Sequence, residues 1–486
     1  MKSRFRALWI LFGTAIFVTL VVGCNDQLRQ FIVPIPSPTG NPQTLENAII
    51  VSTNPVASAN GSNMHIDVSG DSNVGVVPVG LNPVFLGKTT TNVFVINSGD
   101  SGDPNATPPK PPIPPTVSAY TALLPLQATV SIVTLPTTGP NAVKTPVAGA
   151  TSSTGNIYIA NRDSDNISVI SSAIFSVIDT IQLAPNSHPV MIAGNAANNK
   201  IFVVDQGTSD VTEISTIDNT IVKVIPVGLQ PIWGVMSTDG LFAFIVNQGD
   251  GTVTVIDASL DIVLPCDPSS ASCQADRTGI PHQAIKVGTT ASPSPNFAFY
   301  ESQLRRVYVS NTGENAVSVI KANGFDLGSV PQVLPFKLAD VNLSGAPTSV
   351  TALSDGTKAY AALGNCPAGV NHTNLLSILA TATNCNGNKI SVIDAVSLQE
   401  TKTIPVGIGP VSVDASANAF RVYSVNAQDS VTDATGTHPV GTISDISTST
   451  DTEVMRKLPP QQDPTCTVST TVFCPLQNPF MVRVFP

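Results

Sequence analysis

The sequence predicts an all-β chain: a β-propeller of seven four-stranded antiparallel blades, with eight as the alternative count. Three observations lead there. Charged residues make up 12% of the 486 positions and aromatics 5%, against 40 Pro and 34 Gly. That composition suits short strands and tight turns rather than helices. An aromatic followed three residues later by a polar turn former recurs as Phe94/Asn97, Tyr158/Asn161, Phe202/Asp205, Phe244/Asn247, Tyr308/Asn311 and Tyr423/Asn426, and Tyr360/Leu363 fills the remaining register. Successive spacings are 64, 44, 42, 64, 52 and 63, so the shortest imply a unit of about 43 residues carrying insertions elsewhere.

The N-terminus reads as a leader. A basic start, Met1-Lys-Ser-Arg-Phe-Arg6, runs into an apolar stretch from Ala7 to Val22, then Gly23-Cys24. The order is that of a secretory signal, and the stretch is short for a membrane span, which needs about 20 residues. Val21-Val-Gly-Cys24 resembles the lipobox of bacterial lipoproteins, which implies a signal peptide over 1–23 and covalent lipid (palmitate among the acyl groups) on Cys24. Residues 24–44, with Pro34, Pro36, Pro38 and Pro42, read as a tether. The propeller domain spans 45–486.

One unit parses into four strands. Trp233–Met236 is the first, Leu241–Val246 the second and Thr252–Ile256 the third; the fourth is the apolar stretch seen one unit earlier as Ile221–Val227. That stretch ends in Gly228-Leu-Gln-Pro231, a turn into the next unit. The ending recurs as Ile404-Pro-Val-Gly407 and Val77-Pro-Val-Gly80. Units of four strands bury their faces only against neighbours, so the ring must close. Val74–Gly80 precedes the first complete unit and fits an outer strand of a last blade shared between the two ends of the chain, which removes an open sheet edge. Rival C-terminal strands at Thr442–Ser447, Glu453–Leu458 and Phe480–Phe485 leave room for the eighth blade.

With Tyr308-Val-Ser-Asn311, Val317-Ser-Val-Ile320, Ile404-Pro-Val-Gly407 and Thr238-Asp-Gly240, the chain resembles the YVTN-type β-propeller repeat family over roughly residues 75–450. The resemblance implies a bacterial or archaeal surface or exported protein. Its superfamily also implies two further activities to weigh, those of lactonase-like enzymes and of redox-protein subunits.

Insertions at 98–115, 364–388 and 427–439 fall between second and third strands, so all three emerge on one face together with the blade-to-blade connections. A further insertion, 459–478, lies near the C-terminus. The 258–284 insertion follows a third strand and is expected on the opposite face. Loops are where binding sites are usually built.

Six cysteines remain after Cys24 and group locally as Cys266/Cys273, Cys366/Cys385 and Cys466/Cys474. In an exported chain these read as three loop-closing disulfides. A zinc site would use CxxC spacing and a c-type haem CxxCH, and neither occurs. Asp340-Val-Asn342-Leu-Ser344-Gly345 matches the first half of a helix-loop-helix calcium loop, but its twelfth position is Thr351 instead of Glu. Asp340, Asn342 and Ser344 are therefore weak calcium candidates, and no cofactor beyond the Cys24 lipid is expected. The repeated Asn and Asp read as turn formers that use their own side chains. The histidines (His65, His188, His282, His372 and His438) show no metal-ligand spacing, and no GxSxG, phosphate loop or HExxH occurs. Trp233 is the single Trp beyond the leader, so repeated Trp docking is not expected.

The net charge of −10 becomes more negative once Lys2, Arg4 and Arg6 are removed. With no basic patch, this excludes nucleic acid as a partner. The functional reading is a non-enzymatic scaffold, lipid-anchored in the bacterial cell envelope and favouring the outer membrane, with a protein or glycan partner on the insertion-bearing face. The alternatives are a lactonase-like hydrolase using the central pocket and an accessory subunit of an envelope redox complex.

Overall fold

Alternating apolar strands such as Phe242–Asn247 and Thr252–Asp257 are buried along their whole length, whereas the outer strand Thr220–Pro226 is mostly exposed. This gradient arises because each sheet is sandwiched between two others near the ring's centre and splays apart at its rim. The computed structural model describes residues 46–485, apart from 57–58, 90–91, 104, 122–128, 196, 323–333, 368–384, 434 and 470–471. Cys24, the leader, the tether and His372 lie outside the described residues.

The sheets form eight blades, the alternative count, and not seven. Blades 1 to 7 run in order over 83–134, 146–182, 189–226, 231–286, 295–342, 349–405 and 410–457. Blade 8 is shared between the chain ends. Its inner strand is Asn478–Phe485, followed outward by Asn47–Thr53, Ser62–Asp67 and Ser72–Pro78. Thr442–Ser447 and Thr452–Lys457 complete blade 7. The aromatic–Asn series counts only seven because the second strand of blade 8, Asn-Ala-Ile-Ile-Val-Ser-Thr, carries neither signal.

The aromatics pack between blades. Phe94, Tyr158, Phe202, Phe244, Tyr308, Tyr360 and Tyr423 are all at most 1% exposed, and each such side chain contributes about 1.5–3 kcal/mol by burial. Their tips reach the third-to-fourth-strand turn of the next blade. The Tyr158 hydroxyl donates to Asn219 at 2.6 Å, that of Tyr360 to Asp451 at 2.7 Å and that of Tyr423 to Asp71 at 3.2 Å. A base two residues earlier reaches the same turns, pairing Lys200 with Asp261, Lys358 with Asp451 and Arg421 with Asp71, while Arg306 donates to the Ala395 carbonyl. One short motif thus fastens blade to blade.

The Asn residues do not close their own turns, as expected from sequence; they are fully buried and cross to the third strand. Asn247 Nδ2 donates to the Thr252 and Thr254 hydroxyls at 2.9 and 3.0 Å, and Asn161, Asn311 and Asn426 reach Ser168, Ser318 and Ser444 in the same way. The glycine of the preceding Pro-Val-Gly ending lies against this amide. A Cβ on Gly228 would stand 2.5 Å from Asn247, and one on Gly407 2.8 Å from Asn426. The two repeated motifs are therefore one contact seen from both sides.

The 258–284 insertion departs from expectation. It leaves the third strand of blade 4 through Ile262–Val263 and returns as Ala284–Lys286 at that strand's other end. On the way the Arg277 guanidinium donates to the carbonyls of Val227 and Ser209 in blade 3, on the insertion-bearing face. The segment stands in for an outer strand and climbs the rim, because the outermost position of a blade has no further neighbour to constrain it.

Candidate functional site

Two places in the ring have the chemistry of a site: the loop-bearing face, and a cavity at the other end of its centre.

On the first face, blades 2 to 5 join their second and third strands by four-residue turns, whereas blades 1, 6 and 7 carry the insertions. With the 458–477 connection between blades 7 and 8, the long loops cover blades 6, 7, 8 and 1, which are consecutive around the ring. Those of blades 6, 7 and 8 are also tied together. The Cys385 amide donates to Gln428 Oε1 at 3.1 Å, joining the loops of blades 6 and 7. His438, in the hairpin of Ser430–Asp433 with Gly436–Pro439, stacks on Phe473 of the connection with centroids 3.6 Å apart and planes 3° from parallel. Asn54 Nδ2 donates to the Gln462 carbonyl at 3.1 Å, joining blade 8. The disulfides Cys366–Cys385 and Cys466–Cys474 lie in these loops, and Cys266–Cys273 closes the rim segment. Three disulfides mark a chain folded in an oxidising compartment, as an exported protein is.

The cavity, about 320 Å³, is lined by the later halves of inner strands from blades 1 to 5 and 8. It therefore lies toward the first-to-second-strand turns, away from the insertions. Its apolar wall holds Phe85, Met191, Trp233 and Phe297, with Gly87, Ala150 and Ala193 also in the lining. Trp233 stacks on Phe297 at 4.5 Å and its Nε1 donates to the Ala298 carbonyl at 3.0 Å. The single Trp thus does bridge blade 4 to blade 5. Two cations, Lys88 and Arg483, enter the lining. Lys88 Nζ is 5.5 Å from the Phe485 ring centre, and the Arg483 guanidinium carbon is 5.8 Å from that of Phe297. Burial lowers the Lys88 pKa. Beside Arg483, Asp414 accepts from the Thr351 hydroxyl at 3.3 Å and from the Ala415 and Val484 amides at 3.0 and 2.9 Å. Burial raises the Asp414 pKa, partly offset by the Arg483 charge.

Among the described histidines, His438 belongs to the loop-bearing face and the others do not gather beside it or in the cavity. His65 is buried between blades 8 and 1, with Nε2 2.8 Å from the Tyr120 hydroxyl, and burial lowers its pKa to about 4. His188 holds a left-handed backbone just before an inner-strand proline, the position that Asn82, Thr145, Gln230 and Ser294 occupy in their own blades. It is a connector residue. His282 lies on the rim, 3.4 Å from the Cys273 sulfur. The calcium candidates are each engaged elsewhere. Asp340 pairs with Lys337 at 2.5 Å and accepts from Ser318, while Ser344 donates to Glu400 at 3.1 Å; Asn342 ends the same outer strand. Among the described residues no group of three or more His, Cys, Asp or Glu is placed to hold a metal.

Sequence reasoning did not find Lys88 and Arg483, which stand near opposite ends of the chain. The available signal was the proline that opens each inner strand: Lys88 lies five residues after Pro83 and Arg483 four after Pro479.

No family model and no curated protein matches the chain. Among solved structures it is similar to the dihydro-heme d1 dehydrogenase NirN in complex with DHE, with a TM-score of 0.57 at 13% identity, covering 93% of this chain and 78% of that one. It also matches the periplasmic gluconolactonase PpgL of Pseudomonas aeruginosa (TM-score 0.48, 16% identity, 75% of this chain and 97% of that one). A 6-phosphogluconolactonase-like protein of Bacteroides fragilis gives 0.49 at 16% identity, over 76% and 98%. At these identities the likeness carries the fold: the chain is a β-propeller.

Proposed function

We propose that the protein is a YVTN-type propeller, lipid-anchored through Cys24 in the bacterial cell envelope with the outer membrane favoured, and that it acts as a binding scaffold for a protein or glycan. The observation that carries the reading is the half-ring of long loops over blades 6, 7, 8 and 1, of which those of blades 6, 7 and 8 are fastened by the Cys385–Gln428, His438–Phe473 and Asn54–Gln462 contacts. Loops free of any task have no reason to be mutually braced, whereas bracing before contact lowers the ordering cost of binding. A lactonase-like reading asks for Glu, His and Arg together at the inner strand ends. The cavity lining supplies Arg483 but neither Glu nor His.

The test replaces 98–115 and 427–439 by four-residue turns like that of blade 4, then compares envelope partners enriched by wild type and variant. The expected result is a partner lost on shortening either loop, with the melting temperature retained. Equal recovery by the variants, or turnover of a lactone panel by the wild type, overturns the scaffold reading. Anchoring is tested separately. Cys24→Ala is expected to abolish covalent lipid labelling and to release the protein from the membrane fraction; an unchanged label defeats it.

A further inference from the structure

We propose that the central cavity at the turn-bearing end of the ring is a binding site for a small organic carboxylate with an apolar body, held by Lys88 and Arg483 against Trp233 and Phe297. The site is distinct from the loop platform and lies at the opposite end of the ring's centre.

The charge pattern points to an anion. The chain holds only 23 Lys and Arg against 33 Asp and Glu; several of its cations, such as Lys200, Lys337, Lys358, Arg421 and Arg456, pair with carboxylates, and others, such as Arg277, Lys321 and Lys402, donate to backbone carbonyls. Among the described residues Lys88 and Arg483 face aromatic rings in place of carboxylates. A cation on an aromatic face keeps its full charge for a ligand. The carboxylate beside Arg483, Asp414, is held in place by Thr351, Ala415 and Val484. Partial burial makes both cations costly to leave without a counter-charge. An anion arriving in the cavity meets two donors in a setting where charge-assisted hydrogen bonds are strong.

The wall and the volume set the rest of the ligand. Trp233, Phe297, Phe85 and Met191 offer apolar surface against which the body beyond the carboxylate can pack. About 320 Å³ lies in the range of small-molecule sites, which run roughly 300–1,000 Å³.

Trp233 is a built-in reporter. In the full-length protein carrying Trp9→Phe it is the sole Trp. Its fluorescence is titrated with octanoate, phenylbutyrate and naphthoate, and with the matching neutral amides, and calorimetry repeats each titration. The expected result is a saturable change with at least one carboxylate and at least about tenfold weaker binding of its amide. Arg483→Gln and Lys88→Met are each expected to weaken the carboxylate by about tenfold or more. Lys88→Met keeps the test alive if Arg483→Gln disturbs folding near Asp414, and the acid–amide comparison needs no variant. No saturable change with any of the three acids, equal binding of acid and amide, or unchanged affinity in Lys88→Met overturns the proposal.

Discussion

Deleting residues 478–486 is expected to abolish the folded monomer. The segment is a single strand, yet it is the inner strand of the blade that closes the ring. Asn478–Phe485 pairs with Asn47–Thr53 from Asn47↔Phe485 to Thr53↔Asn478. Phe480, Met481 and Val482 are 3%, 5% and 0% exposed. Across to blade 7, the Val482 amide donates to the Ser412 hydroxyl at 3.1 Å and the Val484 amide to Asp414 at 2.9 Å. Removal exposes three apolar side chains' worth of core at about 1.5–3 kcal/mol each. It also leaves the Asn47–Thr53 edge unpaired and blade 7 without its partner. A linear repeat array would lose only an end unit, but a ring loses its closure. Against the 5–15 kcal/mol typical of native stability, the loss is decisive. Size-exclusion chromatography and circular dichroism check it: an expanded or aggregated product is expected, and a compact monomer with the wild-type melting temperature refutes it. Val482→Asp, which buries a charge in the same strand, is expected to destabilise by more than about 4 kcal/mol.

The same closure shows what could be read in the sequence and why. The aromatic-x-x-Asn register was legible because packing between blades imposes it seven times. It failed to count the eighth blade because Asn47–Thr53 is the second strand of a blade whose inner neighbour comes from the other chain end, and its contacts differ accordingly. A better count lay in the prolines Pro83, Pro146, Pro189, Pro231, Pro295, Pro347, Pro410 and Pro479, one at the start of each inner strand. At the first residue of a strand the missing N–H costs little, and the ladder shifts register right after it in blades 1 to 5 and 7.

The candidate sites were legible to different degrees for the same physical reason. Insertions interrupt a repeat and so can be read along the chain: 98–115, 364–388 and 427–439 could be assigned to one face from strand order alone. That the loops of blades 6, 7 and 8 interlock could not. His438 on Phe473 and Asn54 on Gln462 are contacts between residues with no shared period. The cavity was invisible for a further reason. Its lining comes a few residues at a time from six blades, and Lys88 and Arg483 are set apart by no shared motif.

Asp205→Asn is expected to raise stability, by an amount that grows with pH. Asp205 takes the place of the buried Asn in blade 3 and is 0% exposed. The Thr212 hydroxyl donates to its Oδ2 at 2.6 Å. In blades 1, 2, 4, 5 and 7 an amide at this position donates to hydroxyls; a carboxylate can only accept. Its pKa is pushed up to about 8, first by burial, with the Asp210 and Asp165 charges adding to it. The folded state therefore holds a proton that the unfolded chain, titrating near 3.9, gives up. Between those two values the native form binds more protons, so this group's contribution to stability is complete below about pH 4, falls as pH rises toward 8 and levels off above it. A shift of this size corresponds to at most about 6 kcal/mol. Asparagine restores the donor and removes the titration. Wild type and variant are thus expected to melt at similar temperatures near about pH 5, and the variant several degrees higher near about pH 8. Acid effects on the rest of the protein are common to both and cancel in the difference. A gap between the two melting temperatures that stays constant across this range would show that Asp205 is ionised in the folded blade.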